Sequence, residues 1–145
     1  MARYNYTHAA RRLMADAVVL WIHGTQETAA HLAGLSAECA LKSILVGLGV
    51  VEPGADGQLG LLNRPLRTHI DRLWGEFQAQ LQGRGGSAYL KLLPVGVPPP
   101  FDSWRVEHRY VAQRQLAPHD LERWMWVAIA ISRVLEVAAD QKEAQ

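Results

Sequence analysis

The 145-residue chain has almost balanced charge, with 15 Lys and Arg residues against 14 Asp and Glu and a formal net charge of +1. This balance excludes a protein that attracts nucleic acid through its overall charge, so any such contact must come from a local basic patch. The single cysteine, Cys39, excludes an internal disulfide and favours a reducing compartment. The 49% of hydrophobic residues is enough for the core of one domain.

No segment of the chain has the pattern of a membrane span or a targeting sequence. The first twelve residues, MARYNYTHAARR, lack the continuous apolar core of a signal peptide. The apolar stretch from Trp124 to Ala139 is interrupted by Ser132, Arg133 and Glu136 and is too short to cross a bilayer. We therefore expect a cytoplasmic protein, in which Cys39 is a buried and unreactive thiol.

Two long helices are predicted in the first third of the chain. Apolar residues recur at three- and four-residue steps from Tyr6 to His23, which predicts a helix that ends at Gly24. Thr25 is a suitable cap for the next helix, from Gln26 to Leu48. That second helix has apolar residues around much of its circumference, and a helix apolar on more than one face is buried on more than one face. We expect it at the centre of the fold or in a dimer interface.

The middle of the chain is predicted as a loop followed by a third long helix. Glycine and proline are frequent from Val50 to Asn63, which is typical of a loop. A clean apolar stripe predicts a helix from Pro65 to Gln82, with Pro65 in the first turn, where its missing amide has no partner to lose. A short helix is predicted from Ser87 to Leu93.

The last third contains an irregular segment and a fourth long helix. The run from Pro94 to Pro100 cannot be helical, and apolar and charged residues alternate from Trp104 to Ala112, which indicates an extended segment. A helix is predicted from Pro118 to Ala139. The chain is thus predicted to be a single all-α domain over residues 1–145. Its expected architecture is an up-and-down four-helix bundle with a proline-rich loop and a short extended segment before the last helix.

One family resemblance emerges from the second helix. The run HLAGLSAECALKSIL (31–45) resembles the second-helix signature of the HEPN family, in which small residues lead into Glu-Cys-x-Leu-Lys. THIDRLW (68–74) and FDSWRVEHRY (101–110) resemble later segments of that family, so the resemblance covers nearly the whole chain. It implies a helical bundle that forms homodimers. Many members are toxin-like or defence-associated, metal-independent ribonucleases, whereas others bind nucleotides or are inactive partners of small nucleotidyltransferases.

The active members of the family resemble one another in an arginine followed, after four to six residues, by a histidine. Arginine suits phosphate because its planar fork can bind two oxygens, and histidine suits proton transfer because it titrates near neutral pH. The spacing occurs in three pairs: Arg3 with His8, Arg64 with His69, and Arg114 with His119. The second pair is the first choice for catalysis and the third pair the next. Because neither lies within the last helix, as the family motif does, a catalytically inactive nucleotide-binding or nucleotidyltransferase-partner module is the alternative.

Two further groups of residues are candidates for binding. The densest basic patch is the best candidate for contact with RNA or nucleotide phosphate, and its members are Arg105, His108, Arg109 and Tyr110. A polar cluster is expected on one face of the second helix, formed by His31, Glu38 and Lys42. No metal site and no cofactor are predicted, because the chain has one cysteine and scattered histidines.

Overall fold

The computed structural model describes residues 5–49, 52–53, 59–61, 64–65, 69–81, 91, 101–111 and 115–144. This part of the chain is mainly helical. It contains α1 (Tyr6–His23), α2 (Gln26–Gly47), α3 (Ile70–Leu81), a 3₁₀ helix (Val106–Tyr110) and α4 (Pro118–Ala144). The prediction of an all-α fold with four long helices is confirmed at this level.

The bounds of the first two helices follow from their capping residues. The Asn5 side chain accepts a hydrogen bond from the His8 amide at 2.9 Å, which fixes the start of α1, and Gly24 ends this helix as predicted. Thr25 occupies the N-cap of α2, but its side chain makes no capping hydrogen bond. After α2, Gly49 adopts a φ of +72°, a left-handed conformation that favours glycine because it has no Cβ.

Helix α2 lies at the centre of the described fold, as the sequence predicts. It contacts α1, α3, α4 and the 3₁₀ helix, and its buried residues surround the helix axis. They are Ala29, Ala30, Ala33, Gly34, Ser36, Ala37, Glu38, Ala40, Leu41, Lys42, Ile44 and Leu45. The many small side chains let neighbouring backbones approach closely.

Within the described residues, α2 is also the helix long and apolar enough to meet the length and composition criteria for a membrane span. The sequence-based expectation considered Trp124–Ala139 instead and passed over α2. In the fold, 67% of the most apolar window of α2 is buried against protein. A central core helix has this composition because it is covered on several faces.

Specific side-chain contacts join α1 to its neighbours. The Ser36 hydroxyl of α2 donates to the Ala10 carbonyl of α1 at 2.7 Å, and Thr7 near the start of α1 contacts Ser43 near the end of α2. These two pairs run in opposite chain directions, so α1 and α2 are antiparallel. Arg11 of α1 makes a two-pronged ion pair with Glu136 of α4 at 2.8 and 3.0 Å.

The loop predicted from Val50 to Asn63 is wrong in part, because short strands form in and just beyond it. Strands β1 (Glu52–Pro53), β2 (Leu59–Leu61) and β3 (Arg64–Pro65) make an antiparallel sheet in the order β1-β2-β3. Glu52 pairs with Gly60, and Leu61 pairs with Arg64. Both prolines lie in edge strands, where a missing amide donor is tolerated. The frequency of proline in this part of the sequence therefore does not distinguish a small sheet from a loop.

The start of α3 also differs from the prediction. The described helix begins at Ile70 rather than Pro65, because Pro65 is part of β3. At the other end of the chain, α4 continues to Ala144, five residues beyond its predicted end at Ala139. The predicted short helix Ser87–Leu93, apart from Lys91, and the proline-rich run Pro94–Pro100 lie outside the described residues.

The extended segment predicted from Trp104 to Ala112 is wrong. Residues Val106–Tyr110 form a 3₁₀ helix, and the Arg105 amide at its N-cap donates to His108 Nδ1 at 3.3 Å. Alternation of side chains predicts a strand only where another strand can pair with it. Here the segment packs on α2, and the fully buried Phe101 and Trp104 anchor it in the core.

Candidate functional site

Charged and aromatic side chains meet where α2, the start of α3 and the segment before the 3₁₀ helix come together. We call this group the Glu38 cluster: Glu38, Lys42, His69, His31 and Trp104. Glu38 and Lys42 are buried, and Lys42 Nζ donates to Glu38 Oε2 at 3.1 Å. The other oxygen, Oε1, lies 2.8 Å from Nδ1 of His69, just before α3. His69 brings its ring to a buried carboxylate while 47% of its side chain stays exposed.

The contact with Glu38 fixes how the His69 ring carries its proton. A carboxylate can only accept hydrogen bonds, so Nδ1 of His69 donates and carries the hydrogen. In the neutral ring, Nε2 on the opposite edge is then an acceptor with a free lone pair. A carboxylate that holds one imidazole nitrogen in this way orients the ring and stabilises its protonated form. His69 is thereby arranged as a proton acceptor at the protein surface.

Trp104 forms the floor of the cluster. Its ring is stacked on His31 with the centroids 5.0 Å apart and the planes 15° from parallel, and it lies 6.4 Å from the ring of His69. The indole rests on Gly34 of α2, where an added Cβ would come within 2.3 Å of the indole Nε1. Only glycine fits at this position without displacing Trp104. His31 Nδ1 and Trp104 Nε1 are buried without a hydrogen-bond partner among the described residues.

Two histidines of the site are held in the neutral form. Burial lowers the pKa of His31 below its ordinary value, and the nearby charges of His108, Arg109 and His69 add to that effect. Burial also lowers the pKa of His108, reinforced by Arg105. His108 is stacked on Trp124 of α4, with ring centroids 5.7 Å apart. Both rings are therefore uncharged at pH 7, which limits them as proton donors.

Both arginines of the predicted basic patch are exposed, but only Arg105 is described as anchored to the backbone. Nη1 of Arg105 donates to the backbone carbonyls of Asp102 and Trp104 at 2.6 and 2.8 Å, so this guanidinium holds the turn before the 3₁₀ helix. The guanidinium of Arg109 lies over the Tyr110 ring, 4.8 Å from its centroid, and both residues are exposed. Arg109 is the cation of this patch that is best placed to meet a ligand.

The structure places His69 in contact with Glu38 of the predicted polar cluster. The sequence had paired His69 with Arg64 instead. The backbone of Arg64 lies in β3, and Arg114 lies outside the described residues. His119 is exposed in the first turn of α4. The sequence places His31, Glu38 and Lys42 together, and the ion pair of the last two is present. It gave no sign of the contact between Glu38 and His69, which are 31 residues apart.

The remaining reactive groups have little capacity for chemistry. Burial raises the pKa of the Cys39 thiol to about 11, with a further contribution from neighbouring Glu38. The thiol is therefore protonated at neutral pH and a poor nucleophile. Among the described residues, no group of three or more side chains has the composition needed to hold a metal ion.

Comparison with known proteins adds no relative to this picture. No family model matches the chain, and neither a curated protein nor a solved structure matches it.

Proposed function

We propose that this protein is a HEPN-like RNA-binding protein that cleaves RNA without a metal ion, with His69 as the general base. The observation that carries the proposal is the 2.8 Å contact between Nδ1 of His69 and the buried carboxylate of Glu38, on a ring that is 47% exposed. The resemblance of residues 31–45 to the HEPN second helix and the central position of α2 support the same proposal.

The proposed reaction needs one proton acceptor beside an RNA phosphodiester. Nε2 of His69 takes the proton of a ribose 2′-hydroxyl, and the resulting oxyanion attacks the adjacent phosphorus. The bond from phosphorus to the 5′-oxygen breaks, which leaves a 2′,3′-cyclic phosphate, and the 5′-oxygen takes a proton from water. A positioned base of this kind typically contributes about 10²- to 10⁴-fold to the rate. Glu38 accepts the hydrogen bond from Nδ1 and keeps the ring in one orientation while Nε2 takes the proton.

We assign binding of the negatively charged phosphate to Arg109, because the guanidinium of Arg105, which is also exposed, already donates to two backbone carbonyls. The positive charge of Arg109 is one of the causes that lower the pKa of His31 in the Glu38 cluster. An arginine can donate two parallel hydrogen bonds to a phosphate and stabilise charge that develops during cleavage. Arg64 and Arg114, the arginines of the spaced pairs, stay candidates for the same role.

The energetics of the cluster favour a role other than stability. A buried ion pair loses the hydration of both charges, and apolar residues of similar size are often equally or more stabilising. Glu38 and Lys42 nevertheless lie in the central helix of the core. A carboxylate fixed in the core is well placed to hold a histidine whose side chain is 47% exposed.

The test is cleavage of purified tRNA and mRNA in EDTA by the wild type and by His69→Ala. We expect wild-type cleavage and a loss of at least about 100-fold in the variant. His23→Ala, which removes an exposed histidine from the last turn of α1, is the control and should leave the rate unchanged. His119→Ala tests the other spaced pair. Equal rates for His69→Ala and the wild type would contradict the assignment of His69.

A second candidate function is nucleotide binding without catalysis. It is favoured by the neutral state of His31 and His108, since neither is a strong proton donor for a leaving group at pH 7. In that case Arg109 and His69 would bind a nucleotide or the surface of a nucleotidyltransferase-type partner. Wild-type protein that binds RNA or mononucleotides in EDTA but produces no cyclic-phosphate ends would favour this candidate.

The remaining predictions from the sequence belong to the same proposal. An up-and-down four-helix bundle is supported by the antiparallel contacts of α1 with α2 and by the packing of α3 and α4 on α2. The homodimer, the cytoplasmic location and a toxin or defence role stay predictions. Sedimentation equilibrium of the purified protein tests the first of them.

A further inference from the structure

We propose that Tyr110 and Arg109 form a subsite that stacks one unpaired base of an RNA strand, so that the protein selects single-stranded RNA. This inference rests on the RNA-binding part of the proposed function and adds the form of RNA that is bound. It is carried by an exposed aromatic ring with a guanidinium on it, mounted on a rigid turn beside the Glu38 cluster.

The Tyr110 ring is largely exposed to solvent. Its side chain is 76% exposed, although it follows a segment whose aromatic residues Phe101 and Trp104 are fully buried. Arg109 covers the ring at 4.8 Å from its centroid. A cation on a ring is attracted to its negative face and adds to the stacking surface that a base can meet. The pair thus presents an exposed aromatic ring together with a cation stacked on it.

The second step is the rigidity of the turn that holds this pair. Arg105 holds two backbone carbonyls, and its amide donates to His108. The ring of His108 is stacked on Trp124 of α4. A preorganised aromatic residue loses little conformational freedom when a ligand stacks on it. The turn therefore holds the backbone of Tyr110 in a defined position against α2 and α4.

The third step concerns the form of the ligand. Every nucleobase has a flat π-face, so stacking tolerates different bases. In a duplex both faces of a base are covered by its neighbours, whereas a base in a single strand can turn out and stack on a protein ring. The guanidinium of Arg109 can meanwhile bind the phosphate next to the stacked base. This combination fits a single strand and not a duplex.

The experiment measures binding of a fluorescently labelled single-stranded RNA 12-mer and of the same sequence as a duplex. All proteins carry His69→Ala to prevent cleavage. We expect Tyr110→Ala to weaken binding of the single strand about 5- to 150-fold, the range typical for loss of one stacked base. Tyr110→Phe should bind within about twofold of the parent, because the ring remains. Trp126→Ala is the matched control, since Trp126 is 70% exposed on α4, and it should leave binding unchanged.

A second arm identifies the source of the base. A series of 12-mers, each with one abasic position, should contain one RNA that binds the parent as weakly as the intact RNA binds Tyr110→Ala. That RNA should lose little further affinity with Tyr110→Ala, because the stacked base is already absent. The mononucleotides AMP and UMP should bind far more weakly than the strand.

Several results would overturn the inference. They are equal binding by Tyr110→Ala and its parent, equal losses in Tyr110→Ala and Trp126→Ala, and equal affinity for duplex and single strand. If Tyr110→Ala weakened the binding of mononucleotides but not of the 12-mer, a single RNA strand would also be excluded as the ligand of this subsite. These outcomes are separate from those of the cleavage test. Protein that binds single strands through Tyr110 but does not cleave them overturns the proposed reaction and leaves the inference standing.

Discussion

Two ion pairs in the described part of the chain differ sharply in their surroundings. Arg11 and Glu136 join α1 to α4 through two contacts at 2.8 and 3.0 Å, and their side chains are 52% and 48% exposed. Glu38 and Lys42 pair at 3.1 Å inside the core, and Glu38 also holds His69. Water screens the charges of Arg11 and Glu136, so removal of either residue should change the free energy of unfolding only slightly. The buried charges of Glu38 and Lys42 are screened much less, so removal of either residue should lower the free energy of unfolding strongly.

The difference teaches where the fold accepts an energetic cost. The exposed pair joins α1 to α4 at the surface. The buried pair places a carboxylate against a half-exposed histidine, an arrangement that serves the proposed proton transfer.

The largest effect is expected for Glu38→Ala. The substitution leaves the Lys42 ammonium buried without its carboxylate partner, which should lower the free energy of unfolding by about 3–5 kcal/mol. Urea denaturation followed by circular dichroism measures this loss. The double variant Glu38→Leu with Lys42→Met should recover most of the stability while it stays unable to cleave RNA. If the double variant were as unstable as the single one, the pair would be structural and the contrast would fail.

The next effect is expected for Gly34→Ala. The new Cβ would lie 2.3 and 2.5 Å from Nε1 and Cε2 of Trp104, so the indole must move. Overpacking of this kind costs about 1–3 kcal/mol and should also disturb the stacking on His31. Gly75→Ala in α3 is the control, because nothing lies within 4 Å of its added Cβ. Since alanine favours helix over glycine, that variant should be about 0.5–1 kcal/mol more stable. Equal stabilisation of both variants would contradict the tight fit of Trp104.

A smaller effect is expected from pH. His31 has a lowered pKa in the fold, so below about pH 6.5 the unfolded chain binds more protons than the folded one. Stability from this group is therefore complete above pH 6.5 and declines as the pH falls towards the folded pKa, and His108 acts in the same direction. Urea midpoints at pH 7.5 and 5.5 measure the decline. His31→Phe keeps a ring against Trp104 and should reduce the decline, whereas an unchanged decline would argue against burial of His31.

The smallest effect is expected for Arg11→Ala. Loss of this exposed pair should change the free energy of unfolding by no more than about 1 kcal/mol, and the change should shrink in high salt. Urea denaturation at low and high ionic strength measures both. A loss comparable to that of Glu38→Ala would remove the distinction between the two ion pairs.

The sequence predicts much of the fold and only part of the site. The bounds of α1 and α2 follow from Gly24 and the apolar periodicity, and the burial of α2 follows from its apolar circumference. These features depend on residues close together in the chain. The 3₁₀ helix was missed because the pattern after Trp104 alternates like a strand, although its position is set by packing on α2.

The site depends on contacts between distant parts of the chain. The pair Glu38 and Lys42 was predicted because its spacing brings both onto one helix face. The contact of Glu38 with His69 was not predicted, because it depends on where α3 begins relative to α2. The fit of Trp104 on Gly34 has the same origin, since a glycine within a helix does not reveal which side chain lies against it.

Rescue of His69→Gly by free imidazole, in EDTA and with single-stranded RNA as substrate, measures directly whether His69 is the general base. If His69 is the general base, the variant should lose at least about 100-fold in rate, and added imidazole should restore cleavage in proportion to its concentration. Glu38→Gln, which keeps His69, should gain nothing from imidazole. Cleavage by His69→Gly at the wild-type rate would contradict the account.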